Sequence, residues 1–176
     1  MAVFAWNFCL AAVCGNSVIW KPSPHSNECA KGIKDAWDNV SGEYADLILV
    51  LEGGNEEAVA LCEDKRINLV SATGSTQMGK ELAPIVSARL GKLLLELGGN
   101  NAAIVCPSAN LDLTIKGIAF SACGTTGQRC TSLRRLFVQE DIYDDCVKRL
   151  ENCFADLVIG CPTKESSQIG PLISEQ

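Results

Sequence analysis

Histidine, closely paired cysteines and long apolar runs are scarce in this sequence, and each scarcity excludes a class of protein. His25 is the only histidine, and no two of the ten cysteines stand at CxxC spacing, so a zinc site lacks its usual ligands. Apolar stretches such as residues 47–51 are far shorter than the ~20 residues that a membrane-spanning helix needs. We therefore expect neither a metal site nor a membrane-spanning segment.

Basic residues are also fewer than acidic ones. There are 15 Lys and Arg residues against 21 Asp and Glu residues, and they are scattered without long runs of one sign. This pattern argues against nucleic acid or a membrane as the partner and leaves a small molecule as the expected one. With 47% hydrophobic residues over 176 positions, the chain is able to bury a core as one domain or two small ones.

Cysteine is the residue that the sequence has in excess. Most of the ten cysteines stand within apolar segments, which predicts small buried thiols rather than a disulfide scaffold. Free thiols suit a reducing compartment, so we expect a protein of the cytoplasm or of an organelle matrix such as that of the mitochondrion. The apolar segment 1–15 lacks the basic residues of a signal peptide, and we interpret it as a buried helix.

Short apolar runs alternate with amphipathic segments along the chain. Strands are predicted at residues 17–20, 47–51, 67–72, 92–97, 102–105 and 135–139, and helices at 29–39, 56–63, after Ser75, at 111–123 and at 142–155. This alternation is typical of an α/β fold with a Rossmann-like parallel sheet covered by helices on both faces. The Gly98–Gly99 break predicts a cofactor domain, 1–98, and the start of an α/β catalytic domain, 99–176, with a loop-like tail.

The segment GSTQMGK, from Gly74 to Lys80, follows an apolar strand and opens a helix. Backbone N–H groups at a helix N-terminus bind phosphate, and the spacing matches the GxxxxGK pattern of a P-loop. Glu81, however, stands where a P-loop needs a magnesium-binding Ser or Thr, which argues against a nucleotide hydrolase. Two interpretations stay open: Gly74 and Ser75 bind a dinucleotide, or Ser75 only caps the helix.

Two weaker signals precede this segment. Lys21 ends a predicted strand, at the edge where ligands collect in open α/β sheets, so its ammonium either holds ribose hydroxyls or is simply solvated. The Gly53–Gly54 turn opens a helix that contains Ala58, and such a turn usually has no further role.

Two further residues carry groups suited to catalysis. Glu96 ends an apolar strand, where loss of water would suit it to act as a general base; alternatively, it accepts hydrogen bonds from the Gly98–Gly99 turn. Cys130 alone among the cysteines stands in a polar, glycine-rich segment, GTTGQRCTS, with Arg129 beside it. An adjacent cation stabilises a thiolate, although a single cysteine is more often structural.

The order and spacing of these segments resemble the aldehyde dehydrogenase superfamily. WKPS, TGST, ELGG and GQRCT follow one another with 54 residues from Lys21 to Ser75, 21 from Ser75 to Glu96 and 34 from Glu96 to Cys130. These intervals agree with those of the family, and the resemblance covers essentially the whole chain. The longer strings LLLELGGNNAAIV and GTTGQRCTSLRRLFVQE look most like the antiquitin branch, which oxidises an amino-acid semialdehyde.

The resemblance implies residues for each step of an NAD(P)-dependent aldehyde oxidation. Cys130 would attack the aldehyde, Glu96 would activate the water that hydrolyses the thioester, and Arg129 and Thr131 would contact the substrate. NAD is the expected cofactor, and NADP stays open because Pro24 replaces a glutamate that NAD-preferring relatives often have. The cofactor would contact Lys21, Pro22, Ser23, Gly54, Ala58, Gly74, Ser75 and Leu97.

Parts of the family pattern do not appear in these residues. Asn7, in the string AWNF, is not the oxyanion-hole asparagine of the family, because it precedes Lys21 by only 14 residues. The C-terminal half, with the hairpin that builds the oligomer, is not found either, so we expect homo-oligomers of complete family proteins rather than of this chain. Pro84 falls inside a predicted helix, which it would kink. The alternative function is a catalytically silent fragment that keeps only nucleotide binding or interaction.

Overall fold

Helices and parallel strands alternate along the chain in two compact units. The computed structural model describes residues 1–175, and Gln176, the last residue of the predicted tail, lies outside the described residues. The first unit runs from Met1 to Leu97, and the second begins at Gly98. Each unit has its own hydrophobic core.

The first unit contains two parallel strand pairs. Its elements are α1 (Ala2–Val13), β1 (Val18–Trp20), α2 (Asn27–Ser41), β2 (Ile48–Val50), α3 (Asn55–Glu63), β3 (Leu69–Gly74), α4 (Thr76–Ala88) and β4 (Lys92–Leu97). β1 pairs with β2, with Trp20 opposite Val50. β3 pairs with β4, with Gly74 opposite Leu97. Parallel pairing places the carboxyl ends of two strands at the same edge, which is where ligands bind in α/β sheets.

The second unit contains one parallel strand pair. Its elements are β5 (Asn101–Val105), α5 (Leu111–Cys123), β6 (Leu133–Val138) and α6 (Tyr143–Ala155). A turn at residues 124–127, in which Thr125 and Thr126 have positive φ, follows α5 and leads to Cys130. The tail beyond α6 consists of turns with one isolated bridge between Ile159 and Ile169, which agrees with the predicted loop.

Aromatic and aliphatic side chains on one face of each sheet form the cores. In the first unit Phe4 stacks on Trp20 with ring centroids 3.8 Å apart, and Phe8 meets Trp37 edge to face at 5.0 Å, above the buried Ile48. A second cluster joins α3 and α4 to the β3–β4 sheet through Cys62, Leu82 and Val86. The core of the second unit contains Val105, Ile115, Ile118, Cys146 and Leu150.

The predicted α/β class is confirmed, but the predicted single sheet covered on both faces is wrong. The strands among residues 1–175 form three separate two-stranded sheets. The opposite face of each sheet is open to solvent, as Leu49, Leu94 and Ile104 illustrate, and Ile104 is 77% exposed. A strand that is apolar on both faces predicts two covering layers. The described residues supply helices for one face only.

Two predictions of burial are also wrong. The N-terminal segment is a helix as predicted, yet only Phe4 and Phe8 are buried, and Trp6 and Leu10 are exposed. All ten cysteines are unpaired, but only Cys62 and Cys146 are buried, while those at 9, 14, 29, 106, 130 and 161 are exposed. An apolar sequence context indicates a helix or strand without indicating which of its faces is covered.

The element boundaries follow the prediction closely, with one informative shift. β3 was expected to end at Ala72, but its pairing with β4 continues to Gly74. α4 then begins at Thr76 and continues through Pro84 to Ala88. No helix within residues 1–175 is both long and apolar enough to cross a membrane.

The core of the first unit yields a stability prediction. Ile48 is 1% exposed, so Ile48→Ala should lower the free energy of unfolding by about 2–5 kcal/mol, because it removes buried methyl groups and leaves a cavity. Leu49→Ala, on the open face of the same strand, is the matched control and should cost about 1 kcal/mol or less. Urea unfolding followed by circular dichroism measures both. Equal costs for the two variants would contradict the one-sided core.

Candidate functional site

Lys21 lies where the carboxyl ends of β1 and β2 meet. Its Nζ donates hydrogen bonds to the carbonyl O of Pro22 at 2.7 Å and to that of Gly53 at 3.3 Å. An ammonium has three hydrogens, so one stays available for a ligand. The structure therefore brings Lys21 to the Gly53–Gly54 turn, of which Gly54 was predicted to contact the cofactor.

Gly53 and Glu57 complete this corner of the site, although neither was predicted from the sequence to be a site residue. Gly53 has φ +153°, and a Cβ there would collide with the Glu57 side chain. Glu57 Oε2 accepts a hydrogen bond from the N–H of Gly54 at 2.6 Å. Main-chain N–H groups of Glu57 and Gly54, helped by the Lys21 charge, hold the pKa of Glu57 below its ordinary value of 4.5. A glutamate three residues after a helix N-cap is the signal that could have found it.

The other residues of this corner that were predicted to contact the cofactor make few contacts within the first unit. Pro22 is buried and contributes its carbonyl group to Lys21. Ser23 is exposed, and its Oγ accepts a hydrogen bond from the N–H of His25 at 3.4 Å. Ala58 is half-buried in α3.

Gly74 and Ser75 form the junction between β3 and α4. Ser75 Oγ accepts a hydrogen bond from the N–H of Met78 at 3.0 Å, so the predicted helix cap is confirmed. A Cβ on Gly74 would lie 2.8 Å from Met78 Sδ, so a larger residue here would have to displace the Met78 side chain. Both residues are exposed at the positive end of the α4 dipole, a position that favours an anion.

Glu96 and Leu97 lie opposite Thr73 and Gly74 at the end of β4. The predicted desolvation of Glu96 is wrong, because its side chain is exposed on the open face of the sheet. Within residues 1–175 the Glu96 carboxylate accepts no hydrogen bond. The alternative, in which it accepts hydrogen bonds from the Gly98–Gly99 turn, is therefore wrong as well. Leu97 points to the covered face and packs over the buried Gly79, where a Cβ would lie 2.7 Å from Leu97 Cδ1.

Cys130 is exposed on the loop between α5 and β6. The loop begins with three consecutive residues of positive φ: Thr125 at 55°, Thr126 at 57° and Gly127 at 68°. This conformation is rare for a β-branched residue and persists only when surrounding contacts enforce it. The strain lies immediately before the candidate nucleophile.

Asn101 and Ser132, which the sequence did not indicate, hold the loop on the other side of this strained segment. Asn101 Nδ2 donates hydrogen bonds to the carbonyl groups of Cys130 at 2.7 Å and of Ser132 at 3.0 Å. Ser132 is 2% exposed, and its Oγ accepts a hydrogen bond from the N–H of Arg129 at 3.1 Å. Their hydrogen-bond partners are main-chain groups, which leave no pattern of residue types in the sequence.

Arg129 and Thr131, the substrate candidates, flank Cys130 and are both exposed. Arg129 Nε donates a hydrogen bond to Thr125 Oγ1 at 2.7 Å, and its guanidinium lies 5.7 Å from the centroid of the Phe120 ring. Within the described residues its two terminal nitrogens donate no hydrogen bond, so both are available to an anionic group.

The tail of the chain also contacts this loop. Thr126 Oγ1 donates a hydrogen bond to the carbonyl O of Gly170 at 3.1 Å. Gln128 Oε1 accepts one from the N–H of Ile173 at 2.9 Å. These two bonds connect the segment that precedes Cys130 to the tail.

The structure brings the predicted residues together in groups within each unit. Lys21 meets the Gly53–Gly54 turn, and Gly74 lies beside Leu97, in the first unit. Arg129, Cys130 and Thr131 share one loop of the second unit.

Neither Asn7 nor a group of metal-ligating side chains forms a further site among residues 1–175. Asn7 uses its side chain inside the first unit, donating to the carbonyl O of Val3 and accepting from Ser71 Oγ at 2.8 Å. Among residues 1–175, no group of three His, Cys, Asp or Glu side chains could hold a metal ion.

The whole sequence matches one protein family. The model of the aldehyde dehydrogenase family matches residues 1–176, and the chain belongs to that family. It is 40% identical over 182 residues to the alpha-aminoadipic semialdehyde dehydrogenase of Bos taurus, an alignment that covers 100% of this chain and 33% of that protein. The resemblance to the aldehyde dehydrogenase superfamily is therefore confirmed, and the chain spans about one third of the length of the curated relatives it matches.

Solved structures of the family share the fold. The NAD-dependent aldehyde dehydrogenase from Sinorhizobium meliloti has a TM-score of 0.83 and 32% identity, covering 90% of this chain and 32% of that chain. The E. coli NADP dependent enzyme has a TM-score of 0.86 and 30% identity, covering 90% of this chain and 33% of that chain. The order of helices and strands is therefore that of an aldehyde dehydrogenase.

The contacts of Glu57 yield a prediction about pH. Because the folded state lowers its pKa, the carboxylate stabilises the fold above about pH 4.5, and this contribution disappears as the pH falls through the lower folded pKa. Glu57→Gln should therefore be less stable than the parent at neutral pH, and the difference should vanish in acid. Thermal unfolding from about pH 7 to about pH 3 tests this, with Glu56→Gln as the control. A pH-independent difference would contradict the assignment.

Proposed function

We propose that this chain carries the nucleophile and the base of an NAD(P)-dependent aldehyde dehydrogenase, which oxidises an aldehyde to a carboxylic acid through a thioester. One observation supports this above the others: Cys130 is exposed on a loop held by side-chain hydrogen bonds, in a chain of the aldehyde dehydrogenase family. The buried thiols of Cys62 and Cys146 lack the access that a nucleophile needs.

The Cys130 thiolate is the proposed nucleophile. Its sulfur adds to the aldehyde carbon, and the carbonyl oxygen becomes negatively charged. The main-chain N–H of Cys130 makes no hydrogen bond within residues 1–175, so it is free to donate to that oxygen. Donors of this kind stabilise the transition state, and loss of one costs about 10²–10³ in rate.

The first unit fits a dinucleotide at the carboxyl ends of its strands. Gly74 leaves its main chain uncovered next to Met78, and the exposed start of α4 favours a phosphate. Lys21, with one free hydrogen on Nζ, would hold ribose hydroxyls beside Gly54. Pro22, Ser23, Ala58, Ser75 and Leu97 complete the proposed cofactor contacts. When bound, the dinucleotide accepts the hydride that leaves the aldehyde carbon.

Glu96 is the proposed base for the hydrolysis of the thioester. Its carboxylate is exposed and free of hydrogen bonds within the described residues, so it is able to take a proton from water. The resulting hydroxide attacks the thioester carbon, and the Cys130 thiolate leaves as the carboxylic acid forms.

The proposed substrate is an amino-acid semialdehyde, and the proposed cofactor is NAD. The bovine relative is named an alpha-aminoadipic semialdehyde dehydrogenase. The free terminal nitrogens of Arg129 are able to bind a substrate carboxylate in a bidentate manner, with Thr131 as a second contact. One structural neighbour is described as NAD-dependent and another as NADP dependent, and the resemblance to the antiquitin branch favours NAD.

A catalytically silent fragment is the second candidate. The observation that favours it is the apolar open face of each sheet, which includes Ile104 and Phe137 at 77% and 53% exposure. Exposed apolar area of this kind marks an interaction surface. NADH formation from an aldehyde by the purified chain discriminates the two, since only the dehydrogenase produces it. Ten unpaired thiols suit a reducing compartment for either function.

Covalent trapping tests the nucleophile. An electrophilic aldehyde analogue should label Cys130 at least about tenfold faster than Cys106 or Cys161, the other exposed cysteines of the same unit. Peptide mass spectrometry measures the rates. Cys130→Ser should abolish the fast reaction, whereas Cys161→Ser should leave it unchanged. Equal labelling of all exposed cysteines would contradict the assignment of Cys130 as the nucleophile.

Ester hydrolysis, which needs no cofactor, tests Glu96. With p-nitrophenyl acetate the parent chain should show a burst from acylation of Cys130, followed by slower deacylation. Glu96→Gln should keep the burst and slow the steady state by about 10²–10⁴, because general-base assistance is lost. Glu81→Gln, on the exposed surface of α4, is the control. A steady state unaffected by Glu96→Gln would remove this residue from the mechanism.

A further inference from the structure

We infer that Asn101 is a positioning residue that fixes the main chain on both sides of Thr131 and thereby orients Cys130. The inference rests on the proposed function for its consequence, but its geometry is independent of it. Asn101 begins β5, 29 residues before Cys130 in the sequence.

Both hydrogens of the Asn101 amide are used on this loop. One goes to the carbonyl O of Cys130 at 2.7 Å and the other to that of Ser132 at 3.0 Å. The two acceptors are the carbonyl groups of residues two apart, so a single rigid NH₂ group holds a three-residue segment. Only asparagine and glutamine carry an amide NH₂ in the side chain, and an aspartate of the same shape has no hydrogen to donate when ionised.

The segment held by Asn101 is a closed turn. The N–H of Ser132 donates to the carbonyl O of Arg129, and the N–H of Arg129 donates to Ser132 Oγ, both at 3.1 Å. Cys130 and Thr131 lie between these two residues, at the tip of the turn. Turn closure sets the shape of this tip, and the Asn101 bonds set its place relative to β5.

Two neighbouring features accommodate the Asn101 side chain. A Cβ on Gly99 would lie 2.9 Å from Asn101 Oδ1 and 3.4 Å from the carbonyl O of Cys130, so this glycine leaves room for the contact. Asn101 lies opposite Leu133 while Ala102 lies opposite Arg135, which makes Arg134 a bulged residue. A β-bulge reorients the side chains beside it and is common next to active sites.

The consequence concerns the direction of the thiol rather than its accessibility. Cys130 is exposed, and removal of the Asn101 bonds uncovers nothing further. The loop is strained at Thr125 and Thr126, so its conformation depends on bonds that hold it. Without Asn101 the Cys130 sulfur would sample directions from which attack on a bound aldehyde is unproductive.

Hydrogen exchange tests the positioning role directly. In Asn101→Asp and Asn101→Ala, amides of residues 129–133 should exchange about tenfold faster than in the parent chain, because the turn opens more often. Asn100→Ala is the matched control, since the Asn100 side chain makes no hydrogen bond within the described residues and only its carbonyl O accepts from Arg135. Gly99→Ala, which pushes on Asn101 Oδ1, should give the same faster exchange and supplies a second, milder variant.

Two labelling reagents separate this role from general loss of structure. Iodoacetamide should alkylate Cys130 in all variants within about twofold of the parent rate, because exposure is unchanged. An electrophilic aldehyde analogue should react about tenfold more slowly in Asn101→Asp, Asn101→Ala and Gly99→Ala than in Asn100→Ala. Unaltered exchange at residues 129–133 in both Asn101→Ala and Gly99→Ala would overturn the inference. Faster exchange in those variants without selective aldehyde labelling in the parent would uphold the anchoring and reject the proposed function instead.

Discussion

The parallel register of β3 and β4 is the constraint on which the candidate site of the first unit depends. It sets Gly74 opposite Leu97 and Thr73 opposite Glu96, so the strand that leads into α4 ends beside the strand that carries the carboxylate. A slip of one residue would exchange the two faces and place Glu96 against the helices. Leu97 packs closely on the buried Gly79, where a Cβ would lie 2.7 Å from Leu97 Cδ1, and this contact favours the observed register.

The second unit depends on anchoring of a different kind. Its candidate nucleophile lies on a loop, where secondary structure does not fix the main chain, and side chains from distant positions do so instead. Asn101, Thr126 and Gln128 together tie the loop to β5 and to the tail. Candidate chemistry on a loop thus rests on a small number of side-chain to main-chain bonds, each of which satisfies a polar group that the loop leaves unpaired.

The positions of helices and strands could be predicted from the sequence better than the burial of their faces. Alternation of apolar runs identified β4 at Lys92–Leu97 and α5 at Leu111–Cys123, because periodicity depends only on neighbouring residues. Burial depends on which other segments pack against a face, and nothing in the sequence around Leu94 indicates that its face is exposed. The same reason explains the exposed thiols and the exposed Glu96. Cys130 and Glu96 were found because they lie within dense motifs, whereas Asn101 acts over a distance of 29 residues, which no local pattern records.

Each strand pairs with the strand that follows it in the chain, in the pairs β1–β2, β3–β4 and β5–β6. Pairings between segments close in sequence need only modest loop closure, and folds built from them form faster than folds that join distant segments. The three sheets are therefore able to assemble in the order of synthesis. As each βαβ segment leaves the ribosome, it already contains both of its strands and the helix that covers them.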